Sequence, residues 1–211
     1  MRSLILASSS PRRFDLLTRT GLPFEVARPD IDETPYPNEP SDDYVQRLSL
    51  AKAWAIAHSL PQGSDALILS ADTTVADGDQ ILGKPQDAAE AVAMLRQLRN
   101  RYHVVHTSVI LLDAANGQSA TRLTTAKVFL RDFTDSEIEA YVASGDPMDK
   151  AGSYAIHNKV FRPVARLDGC FTSVMGLPMC AVATLLADCG VILPTPIACS
   201  PTNLPCQFSN L

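Results

Sequence analysis

Apolar residues form short continuous runs early in the chain and longer ones further on. The run at residues 66–69 is typical of a strand buried on both faces, and the run at residues 4–7 predicts a first strand. Two longer segments, residues 102–112 and 119–130, predict a pair of strands joined by a turn at residues 115–117. These runs predict a sheet.

Helix start signals lie between and after the predicted strands. Pro11 suits a first helical position, because its missing N–H would be unpaired there in any case. The other starts are the acid-rich turn after Ser41, the capping-box patterns at residues 87–90 and 134–137, and Pro178. Alternating strands and helices in a chain of 211 residues predict one α/β domain, which we place at residues 1–193.

Composition and charge exclude several classes of protein. A formal net charge of −5 argues against general nucleic-acid binding. No apolar run is long enough to cross a membrane, and the run at residues 4–7 is too short for a signal peptide. We therefore expect a cytoplasmic protein with no membrane partner. Residues 194–211 are rich in proline and predict a flexible tail.

Cysteine and histidine spacing does not predict a transition-metal site. The five cysteines lack C-x-x-C spacing, so we do not expect zinc, and their odd number fits free thiols in a reducing compartment. His103 and His106 are three apart in a predicted strand and should point to opposite faces, so they cannot bind one metal together.

The segment from Ser8 to Arg13 is the first candidate binding site. A strand enters a serine-rich turn and then a helix that starts at Pro11, followed by Arg12 and Arg13. Unpaired N–H groups and the positive end of the helix dipole attract anions, and guanidinium groups match phosphate oxygens. This pattern predicts a polyphosphate site. The alternative is an ordinary turn with two solvated arginines.

Two further segments carry charged candidates. Lys52 falls on the apolar face of the helix that starts at Ser41, so it must pair with an anion or extend to water. Asp72 follows the apolar run at residues 66–69, where it could bind a metal, act as a base or cap a turn. Lys84 is held between Gly83 and Pro85, after a hairpin signal at residues 77–79.

Together these segments resemble the Maf family of nucleoside triphosphate pyrophosphatases. The resemblance covers residues 3–190 and rests on ordered blocks: residues 6–13, Asp32-Glu33, Lys52, residues 70–73, 82–85, 149–156 and 174–178. It implies an elongated mixed sheet flanked by helices, with a nucleotide-binding cleft between two lobes. It also implies cleavage of nucleoside triphosphates to monophosphate and pyrophosphate, dependence on Mg²⁺ or Mn²⁺, and a homodimer.

The resemblance also implies roles for individual residues. Glu33 and Asp72 would bind the metal, and Asp72 would also accept the proton of the attacking water. One carboxylate doing both directly is awkward, which leaves open a second metal ion or a bridging water. Lys52 and Lys84 would act in catalysis; Ser8, Arg12, Arg13, Thr73 and Lys84 would bind substrate.

Base recognition is where the chain departs from the family pattern. Arg12 and Thr73 match the branch that hydrolyses dTTP and UTP, but His157 stands where that branch has glutamine. Glutamine offers a donor and an acceptor on one amide, whereas neutral imidazole offers them on different ring edges. We therefore expect pyrimidine triphosphates, including modified ones, with altered selectivity.

Two other functions compete with this prediction. A different phosphohydrolase would release orthophosphate stepwise, and a nucleotide-binding regulator of cell division or septum formation would have little catalysis. Asp72, Glu33 and both lysines argue against a pure binder, which has no need of a carboxylate that activates water.

Overall fold

The computed structural model describes residues 2–194 and residue 199. In chain order its elements are β1 (Leu4–Ala7), α1 (Pro11–Thr18), β2 (Glu25–Ala27), α2 (Ser41–Ser59), β3 (Leu67–Asp77), β4 (Gln80–Leu82), α3 (Ala88–Leu98), β5 (Tyr102–Asp113), β6 (Ser119–Leu130), α4 (Asp135–Ala143), β7 (Val164–Asp168), α5 (Phe171–Val174) and α6 (Met179–Asp188). Two short 3₁₀ turns precede β7. Most of the predicted tail at 194–211 lies outside the described residues.

Seven strands form one mixed sheet in the order β2-β1-β3-β5-β6-β7, with β4 paired to the far end of β3. β1 runs parallel to β2 and β3, and the remaining pairs are antiparallel. Helices flank this sheet, and α2 packs across β3 and β5. The predicted α/β fold with a mixed sheet is confirmed. Within the described residues, no helix is both long and apolar enough to cross a membrane.

β3 is longer than the sequence predicted. The apolar run at residues 66–69 and the hairpin signal at residues 77–79 predicted strand segments separated by a break at residues 70–73, whereas β3 runs without a break from Leu67 to Asp77 and pairs with β4 across that hairpin. This prediction is wrong because pairing with the antiparallel neighbour β5 extends along the strand regardless of side-chain polarity. The parallel neighbour β1 does stop, at Ala7. Asp72 therefore lies inside a strand, just beyond the end of its neighbour.

Three apolar cores pack against the sheet; one lies between α2 and the strands β1, β3 and β5, and the other two occupy the two ends of the long strands. Of these two, one contains β1, α1, α6 and the first part of β3, and the other contains α3, α4 and the last part of β3. Between them β3 carries Asp72 and Thr73, which face Ser108 and Thr107 in the register with β5. We call this middle section of the sheet the polar waist. The expected cleft opens there, between the two lobes.

Gly169, directly after β7, has a backbone conformation and a close neighbour that both disfavour a side chain. Its φ is +143°, and a Cβ there would lie 2.6 Å from the Cβ of Ala126 and 2.8 Å from its Cα. We expect Gly169→Ala to lower the free energy of unfolding by about 3 kcal/mol, because backbone strain and overpacking add. Chemical denaturation measures this loss.

The matched control is Gly63→Ala, at φ +82° with no atom near the added Cβ. It should lose only about 1 kcal/mol, from backbone strain alone. Equal losses in the two variants would contradict a decisive contact with Ala126.

Candidate active site

A cleft of about 440 Å³ opens at the polar waist, a size typical of small-molecule sites. Its walls come from the start of α1, the middle of β3, the loop after β4, the 3₁₀ turns and the loop between α5 and α6. Five cationic and three anionic side chains line it: Arg12, Arg13, Lys52, Lys84, Lys150, Glu33, Asp72 and Asp149. An acidic protein thus concentrates positive charge in one cleft.

The turn between β1 and α1 forms one wall of the cleft, and its three serines differ in where their side chains lie. Ser8 is buried, and its hydroxyl accepts a hydrogen bond from the Ser10 N–H at 3.1 Å. Ser9 and Ser10 line the cleft, whereas Ser8 supports the turn from below. No side chain caps α1 and no acidic residue lies in its first turn. The positive end of this helix therefore faces the cleft uncompensated.

Arg13 is held in place by three neighbours. Its Nε donates to the Gly176 carbonyl at 2.7 Å, and its Nη2 and Nη1 lie 3.3 Å from Thr73 Oγ1 and 3.5 Å from Ser8 Oγ. Burial lowers the pKa of Arg13, and the nearby carboxylate of Asp72 opposes that shift. A guanidinium remains charged under such conditions, so Arg13 presents a fixed positive charge.

Arg12 is engaged by a carboxylate from the other lobe. Its Nη1 donates to Asp149 Oδ2 at 2.7 Å, and Lys150 Nζ donates to the other carboxylate oxygen, also at 2.7 Å. Partial burial alone would raise the pKa of Asp149, but hydrogen bonds from Lys150 and Arg12 lower it to about 2. Asp149 is 58% exposed, so the pair with Arg12 is weak and exchangeable.

Lys52 lies between two carboxylates and does not extend to water. Its Nζ is 2.5 Å from Asp72 Oδ1 and 2.6 Å from Glu33 Oε1. Both Lys52 and Asp72 are 7% exposed, whereas Glu33 lies on an exposed loop. The backbone carbonyl of Glu33 accepts a hydrogen bond from the Tyr44 hydroxyl at 2.8 Å. Burial alone would raise the pKa of Glu33, but the Lys52 hydrogen bond and nearby cations, including Lys84, lower it.

This arrangement fits the divalent metal that the family resemblance implies. Glu33 and Asp72 direct oxygen atoms at one point, where the cationic Nζ of Lys52 now sits. Mg²⁺ prefers one or two carboxylates together with substrate phosphates. Within the described residues, no third carboxylate, histidine or thiol joins this pair. The donor set therefore suits a hard divalent cation completed by phosphate oxygens.

Lys84 and His157 both line the cleft, and their neighbours Leu82 and Ile156 pack in the core that contains α3 and α4. Lys84 is exposed and forms no hydrogen bond or salt bridge with the described residues. Burial against the cleft wall lowers the pKa of His157, which keeps its imidazole neutral at pH 7. A neutral ring offers one donor and one acceptor.

Sequence reasoning did not select Tyr154, Tyr44 or Lys150, which also line the cleft. The Tyr154 hydroxyl pairs with the buried Nε2 of His103 at 2.7 Å. His106 instead contacts Thr125 on the other face of β5, so the two histidines point apart as predicted. Lys150 and Tyr154 fall in the family block at residues 149–156, whereas Tyr44 lies outside every block and carried no sequence signal.

The α/β fold, with a carboxylate pair and a cationic helix start in one cleft, defines this chain as a protein of the polyanion-binding class. Family-model comparison matches residues 3–189 to the Maf-like protein family. The chain therefore belongs to the Maf-like family.

The relatives are similar over almost their whole length. A protein named dTTP/UTP pyrophosphatase from Hahella chejuensis is 43% identical over 190 residues, covering 90% of this chain and 94% of the relative. One of the same name from Moorella thermoacetica is 44% identical over 191 residues, covering 90% and 97%. The Ham1 protein of Staphylococcus aureus aligns with a TM-score of 0.45 at 13% identity, covering 62% of this chain and 73% of that one. That similarity is too low to carry an argument.

His103 gives a pH-dependence that can be measured. Burial lowers its pKa from the ordinary 6.5 to about 4. Below pH 6.5 the unfolded chain therefore binds more protons than the folded one, and stability falls as the pH drops toward 4. We expect this loss to total about 3 kcal/mol. Denaturation at several pH values between 4 and 7 measures it.

His103→Gln should remove this pH-dependence, because glutamine keeps a hydrogen-bonding group beside Tyr154 without titrating. The control His58→Gln, on the exposed side of α2, should behave as the parent. If His103→Gln retains the full slope, another group is responsible.

Proposed function

We propose that this protein hydrolyses nucleoside triphosphates, with dTTP and UTP as its preferred class, to nucleoside monophosphate and pyrophosphate. The observation that carries this proposal is the Lys52, Asp72 and Glu33 cluster opposite the cationic start of α1 in one cleft. The relatives named dTTP/UTP pyrophosphatase support the substrate class. Such an activity would remove surplus or damaged nucleotides from the cellular pool.

The triphosphate binds between the start of α1 and Lys84. Arg13 is already fixed by three hydrogen bonds, so little side-chain freedom is lost when a phosphate binds. Arg12 exchanges its weak pair with Asp149 for phosphate oxygens. Lys84 is unpaired within the described part of the chain, and it supplies charge to the leaving pyrophosphate.

Water activation falls to Asp72. One of its oxygens pairs with Lys52, and the other has no hydrogen bond to the described residues, so it can accept a proton. Lys52 fixes the orientation of this carboxylate and also holds Glu33. A Mg²⁺ or Mn²⁺ ion bound by Glu33 and Asp72 would neutralise phosphate charge and acidify the attacking water.

The reaction forms one bond and breaks one. The water oxygen bonds to the α-phosphorus, its proton passes to Asp72, and the bond from that phosphorus to the bridging oxygen breaks. The electron pair leaves with pyrophosphate, toward the cationic side chains. Thr73 and His157 lie where they can contact the sugar or base.

Several properties complete the proposal. We propose a homodimer in the cytoplasm, residues 1–193 as one domain, and no nucleic-acid partner. A binding-only regulator of cell division is not favoured, because a protein that only binds has no need of a carboxylate oxygen that can accept a proton from water, which Asp72 offers.

Product analysis tests the reaction. With Mg²⁺ or Mn²⁺ and a panel of nucleoside triphosphates, chromatography should show monophosphate and pyrophosphate. Asp72→Asn should lower turnover by about a hundredfold or more while nucleotide binding persists, because the proton acceptor is lost. The control Asp79→Asn changes an exposed acid on the turn after β3 and should keep parental turnover. Diphosphate and orthophosphate as products would contradict the proposal.

Base selectivity tests the role of His157. Replacing His157 by glutamine puts a donor and an acceptor on one amide. We expect the ratio of kcat/KM for UTP over GTP to rise by about tenfold, the effect of one hydrogen bond of about 1.4 kcal/mol. Competition assays measure this ratio. An unchanged ratio would place base recognition elsewhere.

A further inference from the structure

Three cysteines converge behind the wall of the cleft. Cys170 precedes α5, Cys180 lies in the first turn of α6, and Cys199 lies beyond α6. Their Sγ atoms all lie within 4.8 Å of one another. All three are free thiols in the structure. Sequence spacing gave no sign of this cluster, because the fold brings together residues that are distant in sequence.

Burial alone is an ordinary state for cysteine, which packs as a small apolar residue. Cys170 and Cys199 do belong to the core around α1 and α6. Apolar packing does not require sulfur atoms to meet, however. Here three separate elements each contribute one thiol to the same point, and the third comes from beyond residue 189, where the family match ends.

We propose that Cys170, Cys180 and Cys199 form a zinc site, with three thiolate ligands and a fourth position open to solvent beside Cys180. Zinc binds thiolates at about 2.3 Å, so ligand sulfurs lie about 3.8 Å apart. The observed separations need to close by about 1 Å at most to reach this geometry. Cys180 is only half-buried, which gives an ion and a water molecule a path to the site.

Charge favours a divalent ion over a monovalent one. Three thiolates with Zn²⁺ leave one negative charge in apolar surroundings, whereas the same ligands with Cu⁺ leave two. A neighbouring hydroxyl also orients one ligand. Thr172 Oγ1 lies 3.2 Å from Cys170 Sγ and accepts the Met179 N–H at 3.2 Å. Such outer contacts are typical of metal ligands.

The position of the cluster connects it with the cleft. The loop between Cys170 and Cys180 carries two carbonyls that hold active-site side chains. Ser173 accepts the Thr107 hydroxyl at 2.8 Å, and Gly176 accepts Arg13 Nε at 2.7 Å. A zinc ion would fasten both ends of this loop and link Cys199 to them. This role is structural and is independent of the proposed hydrolysis.

Metal stoichiometry and cobalt spectra test the site in the full-length chain. Under reducing conditions, the metal-free protein should take up one zinc ion that survives gel filtration. Cobalt in its place should give sulfur-to-cobalt charge-transfer bands, which carboxylates of the cleft cannot produce. Cys170→Ala, Cys180→Ala and Cys199→Ala should each lose the bands. The control Cys189→Ala removes an exposed thiol outside the cluster and should keep them.

A second measurement uses only the parent chain, in case a variant fails to fold. Zinc at about a hundredfold excess over its dissociation constant should raise Tm by about 5–10 °C. It should also protect three of the five thiols from a thiol reagent. No zinc uptake, uptake of Cu⁺ alone, unprotected thiols, or cobalt bands that persist in all three cluster variants would overturn the proposal.

Discussion

The architecture of the cleft depends on one buried lysine. A charged ammonium that is 7% exposed must have anionic partners, because burial without them is strongly unfavourable. Asp72 and Glu33 meet this need, and they come from the centre of the sheet and from a separate loop. Ion pairs with the Lys52 Nζ therefore hold together three segments that are distant in sequence: α2, β3 and the loop that carries Glu33. Loss of Lys52 would leave Asp72 as a buried carboxylate without its ion-pair partner, at about 3–5 kcal/mol.

At the polar waist, polar side chains stand where apolar ones would stabilise the fold more. Along β3 and β5 the apolar cores at the two strand ends are interrupted where Asp72, Thr73, Thr107 and Ser108 face one another. These residues cannot add hydrophobic stabilisation, so they are held by hydrogen bonds. Thr107 contacts Thr73 and the Ser173 carbonyl, and Ser108 pairs with Ser49 of α2 at 2.7 Å. Backbone pairing between β3 and β5 continues through the polar waist, so the sheet itself is not interrupted there.

Local patterns predicted most elements because each has a local cause. Capping residues set the starts of α3 and α4, and Thr134 and Glu137 form the capping box that the spacing indicated. The apolar face of α2 placed Lys52 on the buried side and left open whether it pairs with an anion or extends to water. The family resemblance gave Glu33 only as a metal ligand, so its contact with Lys52 was not predicted.

Features that depend on distant partners were not predictable. β2 and β7 are short and mostly exposed, so they lack an apolar signal and exist through pairing with longer strands. The three cysteines of the thiol cluster follow no recognisable spacing motif in the sequence. The carboxylate of Asp149 accepts a hydrogen bond from Arg12 and so occupies one of the cationic groups of the cleft. A singly charged anion gains little by replacing it, whereas a polyphosphate contacts several cations at once. The cleft therefore favours anions that carry several charges, and common small anions compete poorly for it.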